Sequence, residues 1–316
     1  MLAFSRRVIN GVKNMIEIIF KAMGYIGIII LAYILKRTGV IKKEDSGVLT
    51  KMLLWITLPC SVISAFSLGE NIEGLFFLPI IGFALNIFMI AIAYLISIRK
   101  TKEDRALYAI NISGYNIGAF AMPFVQGFLG PSALTAVCMF DAGNAIMCTG
   151  GVYALAKRSL SEKSSAVDFF KNLFASVPFD AYLFMFIITL LGLRIPQPIV
   201  NLFTVAGSAN GFVAMFLIGV LLEFKPKRSF LKRTAAILCI RYSAAILLSV
   251  CAYFLIPLPL EQRQGIVLVL FAPITAIAPV FTQKCGAASD IASFSGSCSF
   301  IISIICMTTL VILFGL

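Results

Sequence analysis

Residues 111–130 read NISGYNIGAFAMPFVQGFLG and residues 266–286 read IVLVLFAPITAIAPVFTQKCG, two apolar stretches each carrying a proline seven residues ahead of a glycine. An offset of 156 residues carries Pro123 onto Pro279 and Gly130 onto Gly286, and the charged starts Glu103-Asp104-Arg105 and Glu261-Gln262-Arg263 fall within two residues of the same register. A proline inside a helix frees the carbonyl four residues back and clashes with the preceding turn, so the helix kinks or unwinds. In lipid the freed groups need partners, and non-helical backbone survives only where protein buries it or where it lines a wet cavity. The segments around Pro123 and around Pro273 and Pro279 are therefore candidate walls of a binding site.

The chain around them is built for a bilayer. Of 316 residues 60% are apolar and only 13% charged, against roughly 25% charged in soluble domains, and mean hydropathy is +1.00. At about 20 residues per crossing, apolar segments fall near 15–36, 47–68, 74–98, 105–128, 131–156, 170–193, 197–223, 231–256, 262–283 and 288–315. The expected fold is an all-α integral membrane protein of ten transmembrane helices, arranged as two inverted five-helix repeats with interrupted helices four and nine. The first repeat is expected over 15–157 and the second over 169–316, with a basic N-terminal tail at 1–14 and a cytoplasmic linker at 158–168. Met1 and Met15 are both candidate starts, and no cleavable signal peptide is evident.

A net charge of +12 would suggest nucleic acid in a soluble protein, but here the basic residues sit in short loops and set orientation. Nineteen Lys and Arg residues fall in loops 36–51, 99–105, 157–171 and 225–233 and at Lys284; the alternate side holds six, Arg6, Arg7, Lys13, Lys21, Arg194 and Arg263. The richer side is read as cytoplasmic, with both termini outside a multi-pass cell-membrane protein. Membrane lipid is the expected surrounding partner, and no nucleic acid is expected. Histidine is absent, which removes Ser-His-Asp and Cys-His pairs, the His-Glu-x-x-His zinc helix and histidine haem ligation. The eight cysteines show no Cys-x-x-Cys pairing and nearly all lie in apolar runs, as small hydrophobes do. No enzyme, metal site or cofactor is expected.

Polar side chains inside the spans mark the same place. Asn111 and Asn116 precede Pro123 by twelve and seven residues, and Asp141 and Asn144, three apart, share one face of helix five. An aspartate in a span costs about 2.5–3.5 kcal/mol on insertion scales and usually faces a cavity or a partner. Asp141 is the candidate coupling site for a proton or sodium ion, with a structural carboxylate bonded to Asn144 as the plainer reading. Arg241 is open between pairing with a substrate carboxylate and reaching toward the nearby boundary. Free N–H groups at half-helix starts can hold a carboxylate, which favours a small organic anion as cargo. A sodium-coupled carrier resembling the bile-acid symporters is the nearest alternative, and an intramembrane enzyme a more distant one.

The chain also resembles a known family. NIGAFAMPF (Asn116–Phe124), followed by Leu129-Gly130, is similar to the Asn-x6-Pro segment of the auxin efflux carrier family, which includes bacterial malate and malonate permease-like proteins and the plant PIN auxin exporters. GAASDIASFSGSCSFIISI (286–304) resembles that family's start of helix ten, and LLWITLPCSVISAF (53–66), with Pro59, its second helix. The resemblance implies a scaffold domain (helices 1, 2, 6 and 7) and a transport domain (3–5 and 8–10), working as an elevator, with helices four and nine crossing at the substrate. It implies Asn116 and Pro123 as substrate-site positions, with Pro279 or Pro273 as the partner break. Ala214 stands where helix seven is expected to carry a proline, which puts a symmetrical scaffold hinge in doubt. A homodimer through the scaffold is plausible on this architecture.

Overall fold

The computed structural model describes residues 2–69, 72–160, 166–223 and 227–315. Side chains before Ile16 lie outside the described residues, as do Lys163 and Lys225, so the basic tail residues Arg6, Arg7 and Lys13 are not placed. The elements are helices: α1 Leu2–Arg37, α2 Ser46–Met52, α3 Leu58–Leu68, α4 Leu78–Ser97, α5 Lys102–Ile112, α6 Met122–Phe128, α7 Pro131–Ile146, α8 Val152–Ser159, α9 Ala166–Phe174, α10 Val177–Leu190, α11 Gln197–Ser208, α12 Asn210–Leu221, α13 Arg228–Leu255, α14 Leu260–Leu270, α15 Ala278–Lys284 and α16 Ser289–Phe314.

Among the described residues seven continuous helical stretches are long and apolar enough to cross a membrane: Ile18–Arg37, Lys43–Leu68, Leu78–Ser97, Pro131–Arg158, Gln197–Leu221, Arg228–Leu255 and Ser289–Phe314. Ten apolar segments become seven for local reasons. The fourth and ninth are each two short helices, α5 with α6 and α14 with α15, separated by irregular backbone. The sixth is divided as well: Pro178 sits in the first turn of α10, and the 14 residues of α10 reach only about 21 Å, short of the roughly 30 Å hydrocarbon core. The seventh turns at Ala209 between α11 and α12, while Ala214 lies inside a continuous α12. Its interruption needs no proline and falls earlier than the resemblance suggested.

Prolines also widen turns. Leu53–Thr57 and Ile117–Ala121 are π-helical, and each leads into a short helix with proline at its second position, Pro59 in α3 and Pro123 in α6. The missing proline N–H leaves a carbonyl unpaired one turn back, and a wider turn absorbs the misfit. Thr57 Oγ1 donates to Asn210 Oδ1 at 3.0 Å, tying the first of these to the Ala209 turn.

The helices pack in two groups. In one, α1 lies along α12, α3 packs on α10 and α11, and α2 on α12; in the other, α7 packs on α4, α6 and α14, α13 on α14 and α16, and α15 on α5 and α16. Inside each group backbones touch directly. A Cβ at Gly219 in α12 would stand 2.3 Å from the Ile29 carbonyl of α1, and one at Gly143 in α7 1.8 Å from the Pro79 carbonyl of α4, so neither position admits a side chain. Hydrogen bonds between the groups run through side chains instead: Tyr25 OH to the Pro123 carbonyl (3.0 Å), Thr135 Oγ1 to the Ala65 carbonyl (2.7 Å) and Tyr182 OH to Asp141 Oδ2 (2.6 Å).

Polar contacts at the two ends sort the loops. Lys43 pairs with Glu223, Arg233 with Asp104 at 3.2 Å and Lys227 with Asp290 at 4.0 Å, joining segments that the charge count assigns to one side. Gly130 N–H donates to Glu261 Oε1 at 2.7 Å and Gln262 Nε2 to Ser132 Oγ at 3.0 Å, joining segments assigned to the other.

Candidate functional site

The site grows from the end of α5. Thr101 caps that helix, its Oγ1 accepting from the Asp104 N–H at 3.2 Å, and Glu103 and Asp104 sit favourably in the first turn. The helix stops at Ser113 because Gly114 takes a left-handed conformation (φ +71°), with a would-be Cβ 3.3 Å from Thr275. From there the chain runs irregularly to Asn116. The second interruption follows α14 and spans 271–277, around Pro273.

The two interruptions cross. Tyr115 and Ile274 form an isolated antiparallel bridge, and the Asn116 N–H donates to the Pro273 carbonyl at 3.0 Å. Backbone from one half of the chain thus pairs with backbone from the other, in the middle of the second packing group.

The unwound groups are satisfied by side chains from neighbouring helices, as buried backbone requires. Asn86 Oδ1 accepts from the Gly114 N–H at 2.8 Å. Asn144 Oδ1 accepts from the Tyr115 N–H at 3.2 Å and from Asn86 Nδ2 at 3.1 Å, while its Nδ2 donates to the Tyr115 carbonyl at 2.8 Å and to Asp141 Oδ1 at 2.7 Å. On the other side Ser299 Oγ accepts from the Ile274 N–H at 3.1 Å. Arg241, 1% exposed, donates through Nη1 to the Ile112 (2.7 Å) and Ser113 (3.3 Å) carbonyls and through Nη2 to those of Ala272 (2.9 Å) and Pro273 (3.1 Å).

Asp141 is buried in α7 and meets donors on both oxygens: Tyr182 OH on Oδ2 and Asn144 Nδ2 on Oδ1. Both carboxyl oxygens of Asp141 are thus satisfied by side chains of the protein, without a metal ion beside them. Its bond to Tyr182 of α10 crosses between the packing groups, so the state of Asp141 and the contact of the groups are linked.

Of the residues singled out in the sequence, Asn116, Asn144, Asp141 and Pro273 converge around Tyr115. Asn116 is 7% exposed, and its side-chain amide makes no hydrogen bond among the described residues. Pro123 starts α6, where its carbonyl takes the bond from Tyr25 of the other group. Pro279 holds the corresponding place in α15, which makes it the counterpart of Pro123, while Pro273 sits in the break itself. Asn111 is displaced from the crossing: its Nδ2 donates to Thr282 Oγ1 at 3.2 Å, joining α5 to α15.

Four contributors escape the sequence reading: Tyr115, Tyr182, Ser299 and Asn86. Asn86 carries the one available signal, an amide in the otherwise apolar α4. Arg241 fits neither of its two readings, since it reaches neither a boundary nor open space but holds backbone.

A cavity of about 120 Å³ lies between the packing groups, lined by Ser61, Ser64, Gln126, Leu129, Thr204 and Gly207 among others, toward the end that holds Gly130. Ser61 Oγ and Gln126 Oε1 approach to 3.3 Å across it.

A family model described as membrane transport protein, the auxin efflux carrier family, matches residues 18–313. A protein of Methanothermobacter thermautotrophicus named as an uncharacterized transporter is 25% identical over 216 residues, covering 66% of this chain and 68% of its own.

Proposed function

The chain belongs to the auxin efflux carrier family of membrane transport proteins, and from that premise we propose that it is a secondary carrier of a small organic anion, a mono- or dicarboxylate. The observation that carries the reading is the crossing of two interrupted helices at Tyr115 and Ile274 with the unbonded Asn116 amide beside it. Carriers with discontinuous helices bind cargo at such crossings near the bilayer midplane. The Asn116 amide supplies a donor for a carboxylate, and the guanidinium of Arg241 behind the crossing adds a positive charge that offsets the nearby Asp141 carboxylate.

In this reading the chain makes ten crossings of the cell membrane as two inverted repeats, 15–157 and 169–316, with both termini outside. The group containing α5, α7, α14 and α16 moves as an elevator against the group containing α1, α3, α11 and α12. Direct backbone packing within each group and side-chain bonding between them supports the division. The cavity between them is smaller than the roughly 300 Å³ of ordinary ligand pockets, so cargo entry requires the groups to part. The stationary group supplies the surface for a homodimer.

The test is a thermal-shift panel of malate, malonate, succinate, citrate, indole-3-acetate and neutral solutes on purified protein and on Asn116→Ala. A carboxylate at 100 times its dissociation constant adds about 2.7 kcal/mol, and that gain is expected to vanish in the variant. Stabilisation by neutral solutes alone, or carboxylate shifts unchanged in Asn116→Ala, would sink the reading.

Asp141 is the proposed proton-coupling residue, because it is a carboxyl buried among apolar helices and its bond to Tyr182 spans the two groups. The donors on both of its oxygens speak against sodium at that position. Asp141→Asn is expected to lose the pH dependence of uptake into proteoliposomes; full-rate uptake with an unchanged pH profile removes Asp141 from the coupling.

A further inference from the structure

Where two helices break and cross, the carbonyl ends of both first halves gather. α5 and α14 each run into the crossing with their C-terminal, negative dipole ends. In carriers with broken helices such unwound carbonyls and half-helix ends form the ligand set for a free coupling cation. Here that set is filled from within the chain. The Ile112 and Ser113 carbonyls from one break and the Ala272 and Pro273 carbonyls from the other all accept from the Arg241 guanidinium, at 2.7–3.3 Å.

Both terminal nitrogens of Arg241 are spent on these carbonyls, and its Nε alone is without a partner among the described residues. It is fully enclosed, its guanidinium carbon lies 4.4 Å from the centre of the Tyr115 ring, and the described ion pairs involve other residues. The planar fork aims two donor pairs at two separate backbones, which a lysine ammonium on a flexible stem reproduces poorly. Arginine also stays protonated in proteins, so the charge does not come and go.

We infer that Arg241 is a tethered cation occupying the carbonyl cage at the helix crossing, so that the crossing binds no free metal cation and keeps a fixed positive charge. The charge joins the two broken helices into one unit and biases the crossing toward anions. The bias on cargo rests on the transport reading; the filling of the cage does not.

The experiment uses the full-length purified protein without organic anion, so its failure is separate from failure of the carrier reading. Thermal unfolding is followed for wild type, Arg241→Ala and Arg241→Lys in sodium, potassium and choline chloride of equal ionic strength. The titration is repeated with methylguanidinium and, as a neutral analogue of similar shape, methylurea. Wild type is expected to melt at one temperature in all three salts. Arg241→Ala is expected to melt lower and to recover more than half of the loss with methylguanidinium but not with methylurea. Equal recovery by both solutes means that Arg241 only fills space and overturns the proposal, as does selective stabilisation of wild type by sodium that Arg241→Lys abolishes. If Arg241→Ala does not fold, Arg241→Lys decides: partial stability that is indifferent to sodium supports a resident cation, and wild-type stability in Arg241→Met overturns it.

Discussion

The two broken helices solve one problem with half-helices of equal length and with different breaks and side chains. Each has a first half of 11 residues, Lys102–Ile112 and Leu260–Leu270, and a second half of seven with proline at its second place, Met122–Phe128 and Ala278–Lys284. Between the halves they diverge. The first break turns through Gly114 at positive φ and then passes through a π-helical stretch, whereas the second turns at Pro273 and rejoins a helix directly. The first has its N–H groups held by the amides of Asn86 and Asn144, the second has its Ile274 N–H held by the hydroxyl of Ser299, and Arg241 serves both. A break at membrane depth is therefore specified by lengths and imino acids on its own helix but made tolerable by polar groups from other helices.

The strongest way to break this comparison is to remove the caps one side at a time. Asn144→Ala strands the Tyr115 N–H and takes a donor from both the Tyr115 carbonyl and Asp141. An unsatisfied buried polar group costs about 1–3 kcal/mol, so the variant is expected to lose several kcal/mol in reversible unfolding from mixed micelles. Ser299→Ala strands one N–H, that of Ile274, and should cost about 1–3 kcal/mol. Equal losses in the two variants would mean that the breaks depend alike on their caps, and a smaller loss in Asn144→Ala would reverse the order argued here.

This division also explains what the sequence reveals. Pro123, Pro279, Gly130 and Gly286 act on their own backbone, so their spacing alone points to both interruptions. Asp141 and Asn144 share a helix face by spacing alone, and the bond between them follows. Asn86, Tyr182 and Ser299 act on distant backbone or side chains, and nothing in their local sequence names those targets. Arg241 is conspicuous as a charge in an apolar run, but carbonyl partners carry no side-chain signature, so sequence points to a substrate or a membrane boundary as its counterpart. The shortness of α10 follows from Pro178, whose effect is hidden by a hydropathy that runs smoothly across it.

The smallest expected effect isolates a link that only the first break possesses. Through Asn144 the first break is bonded to Asp141, and through Asp141 to Tyr182 of the other packing group; none of the bonds described for Ser299 leads out of its own group in this way. Tyr182→Phe removes one hydroxyl while keeping the ring. A buried carboxyl that loses a donor can take up a proton rather than stand as an unpaired charge, and side-chain hydrogen bonds in membrane proteins average about 0.6 kcal/mol and reach about 1.7, so the loss of stability is expected to be slight and smaller than that in Ser299→Ala. Its signature lies in motion rather than stability. If the bond must open whenever the groups slide, Tyr182→Phe lowers the pH dependence of uptake in the same sense as Asp141→Asn while leaving carboxylate-induced thermal shifts intact. A variant with wild-type pH dependence and weakened carboxylate binding would place Tyr182 at the binding site instead, and the asymmetry between the two breaks would then concern cargo rather than coupling.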